Sequence, residues 1–332
     1  DTAQQNLEHG LIVSAWQASP APCFANIIPD IVIATFACDL PSSYLEAMAA
    51  LPRPPLYCNF EYLSAESWVE DCHLLPSIDP RTGLKQYFYF MGFTAKTGGL
   101  LRETDLLQTQ MGFLQDTAAQ TAFWERCQIQ PTLLSNRLTI SLFSYHLAHL
   151  QHFLHCCAHG NTPISLLLTQ CAAHLSVAAF FQVASLEIGS IYSQGQLQVH
   201  ILPFLSHPDF DALLWLCDVN CVRGEDSLVR AIWAGKPFLW QLYPQAEDYH
   251  WIKAQAFLAQ QRPFFSPSLQ SKIHTIMQAW NTESPYTLTE WNDLIQEYTA
   301  WQQQSQSWRS HLLTQNDCVS QFLAWANTQT LA

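Results

Sequence analysis

Charge is what this sequence has least of. Asp, Glu, Lys and Arg together make up 12% of its 332 residues, about half the ~25% usual in globular domains. Cations are the scarcest: 14 Lys and Arg stand against 27 Asp and Glu, for a net charge of −13. Nucleic-acid binding rests on a basic face that neutralises phosphates, so neither DNA nor RNA is an expected partner. An anionic small molecule stays open wherever a few cations and a helix N-terminus meet. Long apolar runs are missing too. None reaches the ~18 residues that crossing a bilayer takes, so no membrane partner is expected. No basic segment leading into an apolar one reads as a signal peptide. The eleven cysteines are an odd number with no CxxC pair among them. That argues against a disulfide scaffold, a zinc ribbon or a thioredoxin-like site. Buried, reduced thiols in a cytoplasmic protein are the expectation.

What is present is enough apolar residue for a core. Hydrophobic residues reach 49%, which excludes a disordered chain. The length exceeds the ~250–300 residues at which single cores stop growing, so two domains are expected. Residues 11–16, 30–36, 56–60 and 87–90 read as strands, with a helix over 45–50 capped at Pro41-Ser42-Ser43 and another opening at 64–68. The pattern restarts with strands at 138–143, 164–169, 199–204 and 237–242 and a helix over 145–158. From about residue 250 onward the sequence is helical and rich in Gln and Trp. Strands alternating with helices mean βαβ units and parallel sheets. The expected division is an N-terminal α/β domain over 1–125, a second over 126–285, and C-terminal helices over 286–332.

Three segments could carry chemistry. Cys217-Asp218-Val219-Asn220-Cys221-Val222-Arg223-Gly224-Glu225-Asp226-Ser227 reads as a strand, a tight glycine turn and the first turn of a helix. In an open α/β sheet ligands bind outside the carboxyl ends of strands, where glycine lets backbone approach a phosphate and the helix dipole favours the anion. Acidic residues and serine are equally ordinary at a helix start, so this pattern alone leaves both readings open. The second segment carries His146, His149, His152, His155 and His159 beside Cys156 and Cys157. Only His152, His155 and His159 share a helix face, so no metal is expected there. The third, Gly92 to Arg102, is glycine-rich but lacks the GxxxxGK[ST] order of a phosphate loop and reads as a mobile loop.

The strings Asn59-Phe60-Glu61-Tyr62-Leu63-Ser64-Ala65-Glu66-Ser67-Trp68, Gly92-Phe93-Thr94-Ala95-Lys96-Thr97-Gly98-Gly99, Val222 to Ser227, Trp233-Ala234-Gly235-Lys236-Pro237-Phe238 and Tyr243-Pro244-Gln245 follow one another in this order. Together they resemble the bacterial elongation factor P arginine rhamnosyltransferases, over essentially the whole chain. The resemblance implies an α/β fold of the GT-B kind, two Rossmann-like parallel-sheet domains facing a cleft. It implies transfer of L-rhamnose, with inversion, from dTDP-β-L-rhamnose to an arginine of elongation factor P, with no cofactor. By the same resemblance Phe143 and Tyr145 form the nucleotide-base site, and Phe204 is their stacking partner. Arg223, Glu225, Asp226 and Ser227 lie at the diphosphate and sugar. His207 stands where relatives often carry glutamine. Relatives also open with a strand and an aspartate-bearing loop that nothing before Asp1 supplies.

Two expectations follow for the chemistry. A guanidinium with a pKa of ~12.5–13.8 has no free lone pair at neutral pH, so carboxylates must orient it and take its proton. Glu225 is the expected catalytic carboxylate nearest the sugar, while by resemblance the general base proper is an aspartate of that opening loop. The alternatives are a truncated, non-catalytic module that binds dTDP-sugar or elongation factor P, and a histidine-rich metal-storage protein or scaffold.

Overall fold

The computed structural model describes residues 4–6, 12–14, 29–145, 149–282 and 284–330. His146 and the ends of the strand expected over 11–16 lie outside the described residues. The chain divides into two compact units, one built from 1–63, 68–98 and 319–332, the other from 64–67 and 99–318.

In the first unit β1 (Gln4–Asn6) and β2 (Ile12–Ser14) pair antiparallel. Its main sheet holds β3 (Ile31–Thr35), β4 (Leu56–Glu61), β5 (Pro76–Ile78) and β6 (Lys85–Phe90) in the order β3-β4-β6-β5. The first three neighbours run parallel, and β5 closes the edge antiparallel to β6. Alternation along β3 buries Val32 and Ala34 against Met48, Tyr57 and Leu84 under the helix Ser42–Ala49. On the other face Phe60 stacks on Tyr89 at 4.7 Å, and Phe322 of the helix Cys318–Thr330 meets both rings edge-on. Aromatic rings fill this face of the sheet, each burying a large area.

The second unit holds β7 (Leu138–Leu142), β8 (Ile164–Leu168), β9 (Ile191–Gln194), β10 (Leu197–Ile201), β11 (Val219–Arg223) and β12 (Phe238–Gln241). Their order is β12-β11-β7-β8-β10-β9, parallel throughout except for β9. β8 and β12 are buried at every position, as expected of parallel strands covered on both faces. Several of the polar side chains inside this sheet are paired across strands. Ser141 Oγ donates to Asn220 Oδ1 at 2.7 Å, and the amide and hydroxyl of Thr139 both donate to Asp218 Oδ2 at 2.8 Å. These bonds satisfy buried groups and fix the register of β7 against β11.

The chain enters this sheet at β7, runs outward through β8 to β10, then crosses back to lay β11 on the other side of β7. The carboxyl ends of β7 and β11 therefore flank the switch in strand order, the usual ligand crevice of an open α/β sheet. One strand is shorter than its sequence suggests. β10 stops at Ile201, since Pro203 offers no N–H to continue the ladder, and Phe204 leaves the sheet. The helix expected over 145–158 is seen as Leu150–His159, where the apolar face of Leu150, Phe153, Leu154 and Cys157 begins.

Candidate functional site

The site grows from the two strand ends. Leaving β7, Phe143 keeps the ladder alive by donating its amide to Cys221 O at 2.9 Å. The amide of Tyr145 then donates to Gln241 Oε1 at 2.8 Å. Gln241 ends β12, two strands away, so its buried side chain reaches across β11 to hold the turn. On β11, Arg223 is the last strand residue and Gly224 opens the helix Gly224–Ala234 with φ of 65°. A left-handed φ suits glycine, and a Cβ here would lie 3.0 Å from the Tyr145 hydroxyl. Trp240 Nε1 donates to Gly224 O at 2.7 Å, and Ser227 Oγ accepts from Arg223 N at 3.1 Å while donating to Arg223 O.

These constraints set one cation against two rings. The Arg223 guanidinium carbon lies 4.3 Å from the Phe143 centroid and 4.5 Å from that of Tyr145. Arginine is weakly hydrated and its plane packs on aromatic faces, so both contacts are attractive. Phe210 supports Phe143 edge-on at 5.4 Å, and Tyr243 supports Tyr145 at 5.6 Å. Glu225, half-buried, and Asp226, exposed, occupy the first helical turn, where the dipole favours negative charge. One turn on, Arg230 reaches Glu103 at 2.5 Å, Asp211 at 3.1 Å and Asp226 at 3.9 Å. Burial pushes the Asp211 carboxyl up to about 6 despite the pull of Arg230, with Glu103 and Asp226 adding to the rise.

Six of the seven expected site residues, Phe143, Tyr145, Arg223, Glu225, Asp226 and Ser227, thus lie at the switch in strand order. The Ser227 hydroxyl is engaged by its own turn. Phe204 stands apart, beyond the end of β10 and 83% exposed. Two strand spacings separate β10 from β7, about 10 Å. His207 opens the helix His207–Leu216, whose N-cap Ser206 accepts from Asp209 N. The sequence did not point to Gln241, Trp240 or the Arg230 cluster. A glutamine closing a buried apolar strand was the one available signal.

The other two candidate segments are put to structural use. His152 Nε2 lies 2.7 Å from Tyr286 O, and the rings of His155 and His159 meet at 4.2 Å. The Gly92–Gly98 stretch is tied down rather than loose: Gly98 N donates to Phe90 O at 2.8 Å and Thr97 Oγ1 to Thr94 O at 2.9 Å. A Cβ on Gly98 would sit 2.3 Å from the Tyr89 ring.

Comparison with known proteins places the chain in a family. Residues 1–327 match the family model of the elongation factor P (EF-P) rhamnosyltransferase EarP. A protein-arginine rhamnosyltransferase of Pseudomonas putida is 43% identical over 96% of this chain and 83% of its own length. One of Pseudomonas aeruginosa is 39% identical over 90% of this chain and 78% of its own. A solved structure described as the structural basis for EarP-mediated arginine glycosylation of translation elongation factor EF-P superposes with a TM-score of 0.64. It is 34% identical and covers 71% of this chain and 74% of that one. The α/β, GT-B-like fold class is borne out by that likeness. The chain belongs to the EF-P rhamnosyltransferase family EarP, a family of glycosyltransferases.

Proposed function

We propose that this chain transfers L-rhamnose from dTDP-β-L-rhamnose to an arginine side chain of elongation factor P, in the cytoplasm and with inversion at the anomeric carbon. The observation that carries the reading is Arg223 lying on Phe143 and Tyr145 at a helix opening, in a member of this family. A nucleoside diphosphate asks for two things, ring faces for its base and a cation with helix amides for its phosphates. Here both sit at one strand switch. Thymine takes the faces of Phe143 and Tyr145, with Phe204 as the further stacking ring. Arg223 turns from the rings to the diphosphate, alongside the amides of Asp226 and Ser227.

The acceptor sets the rest of the chemistry. A protonated guanidinium is not a nucleophile, so a carboxylate must accept a proton as the nitrogen attacks. The C–N bond forms on the face of the sugar opposite the diphosphate. The C1–O bond breaks, and its electron pair leaves with dTDP, its charge met by Arg223. Inversion is what a single displacement gives. Glu225 is the carboxylate assigned nearest the sugar.

The test is a titration followed by a transfer assay. The chain should bind dTDP, and with donor present the acceptor arginine of elongation factor P should gain the mass of one deoxyhexose. Failure to bind dTDP would overturn the reading. Binding without any transfer would leave the chain as a non-catalytic module.

A further inference from the structure

We propose that Glu61, Tyr62 and Phe36, at the carboxyl ends of β3 and β4, form the seat for the acceptor arginine side chain. The proposal rests on the function just put forward and adds a place for that arginine in the first unit.

The turn after β3 is a costly one. β3 ends at Thr35, and Phe36 and Ala37 both take left-handed backbone, with φ of 55° and 53°. For residues with a Cβ this costs roughly 1–2 kcal/mol each. Such strain persists only where the surroundings impose it, and it gathers at binding sites. The surroundings here are one fully buried asparagine. Asn59 Oδ1 accepts from Ala37 N at 3.1 Å, and its Nδ2 donates to Glu61 Oε1, while Phe36 N donates to Phe60 O at 2.8 Å. One side chain thus aims both the turn and the carboxylate.

The result is an arrangement the core does not use. Phe36 stacks on Tyr62 at 4.4 Å, and the two rings stay 43% and 52% exposed. The Glu61 carboxylate is tied to the turn that carries Phe36, since Asn59 donates to Glu61 Oε1 and accepts from the amide of Ala37, the residue after Phe36. A cavity of about 390 Å³ beside Ala37 and Asn59 is lined by Asp39 and Asp79 and, among the described residues, by no Lys or Arg. A carboxylate next to an exposed ring suits a planar, weakly hydrated cation, which forks onto the oxygens and lays its face on the ring. That is a guanidinium. A lysine ammonium would lose both the fork and the stacking.

The experiment is a double-mutant cycle on the full chain, using binding of elongation factor P as the readout. The variants are Glu61→Gln, Tyr62→Ala and, to keep the apolar packing, Tyr62→Leu. Each is titrated with elongation factor P and with its acceptor Arg→Ala form, and each is checked for the parent's thermal midpoint and dTDP affinity. Expected are losses of tenfold or more for Glu61→Gln and Tyr62→Ala against the normal acceptor, shrinking below threefold against the Arg→Ala form. Tyr62→Leu should fall between them. Equal losses against both acceptors would overturn the seat. A parent chain that titrates dTDP but binds no elongation factor P would bring down the functional reading itself, and the seat with it.

Discussion

The two sheets finish their carboxyl ends in opposite ways. At the end of β7 and β11 a cation is packed on two rings, and the backbone around it is held by the buried side chains of Gln241 and Trp240. At the end of β3 and β4 two rings stay exposed beside a carboxylate, on a turn with two left-handed residues. The first arrangement offers positive charge and aromatic faces to an anion with a base. The second offers negative charge and a ring to a cation. In a chain with 12% charged residues, the sign of the few charges at strand ends says more than their number. On the function proposed above, that sign separates the reactant each sheet holds.

The largest effects should come from the switch in strand order. Glu225→Gln is expected to reduce rhamnose transfer by about 10²–10⁴-fold while dTDP affinity stays within a few-fold. Single-turnover assays beside dTDP titrations check this, and a parallel fall in both would recast Glu225 as a binding residue. Arg223→Ala comes next. Losing a charge-assisted phosphate contact of ~1.5–3 kcal/mol should weaken dTDP binding by about 10–100-fold. Tighter binding in that variant would mean the guanidinium merely occupies the rings, and the contrast between the two sheet ends would collapse.

How much of this was legible depends on range along the chain. The strand, turn and helix over 217–231 are a local signal, since a strand run, a glycine and an acidic, serine-bearing helix start follow one another directly, although the same residues are ordinary helix-opening residues. Family membership was legible too, in strings such as Asn59 to Trp68. What joins distant segments was not. Gln241 holding Tyr145, Trp240 holding Gly224 and Asn59 holding Ala37 all depend on which strands become neighbours. The left-handed turn at Phe36 and Ala37 gave no sign, because the residues that adopt it are not glycines. The mobile loop read over Gly92–Arg102 is instead fastened where its glycines pack against Thr97 and Tyr89, a contact set by tertiary structure.

Acid should separate the two units. Burial lowers His73, in the first, and His200, in the second, to about 4. Each stays neutral in the fold while the unfolded chain takes up a proton below ~6.5, so each removes stability as pH falls from about 6.5 toward 4. Asp211 has the opposite sign. With its carboxyl raised to about 6, the folded second unit binds that proton more readily than the unfolded chain, and stability rises as pH falls through 6 toward 4. His200 and Asp211 therefore offset one another, whereas among the described residues of the first unit no carboxyl is pushed up to balance His73. Its Nδ1 also accepts the Phe90 amide at 3.1 Å, a bond that protonation ends. Amide exchange between pH 7 and 5 should show the strands of the first unit opening before those of the second, and His73→Gln should flatten that difference. Equal slopes in both units would contradict the assignment.

The smallest effects should come from surface ion pairs, and they too set one unit against the other. Arg230 lies between Glu103, Asp211 and Asp226, and the Asp211 side chain is only 15% exposed. Removing that guanidinium leaves a shielded carboxylate facing two others. Arg230→Ala should cost about 1–2 kcal/mol, less than the ~3–5 kcal/mol of a fully buried pair because Glu103 and Asp226 remain in water. Arg81 pairs with Glu46 in the first unit, where the two side chains are 48% and 61% exposed. Water and salt screen such a contact, and ordering two long side chains consumes most of its Coulomb gain. Arg81→Ala should therefore shift stability by no more than about 0.5 kcal/mol. Urea unfolding of both variants at low and high salt reads the difference. If Arg81→Ala cost as much as Arg230→Ala, the first unit would depend on its surface charges, and its exposed carboxylates could no longer be assigned to a partner.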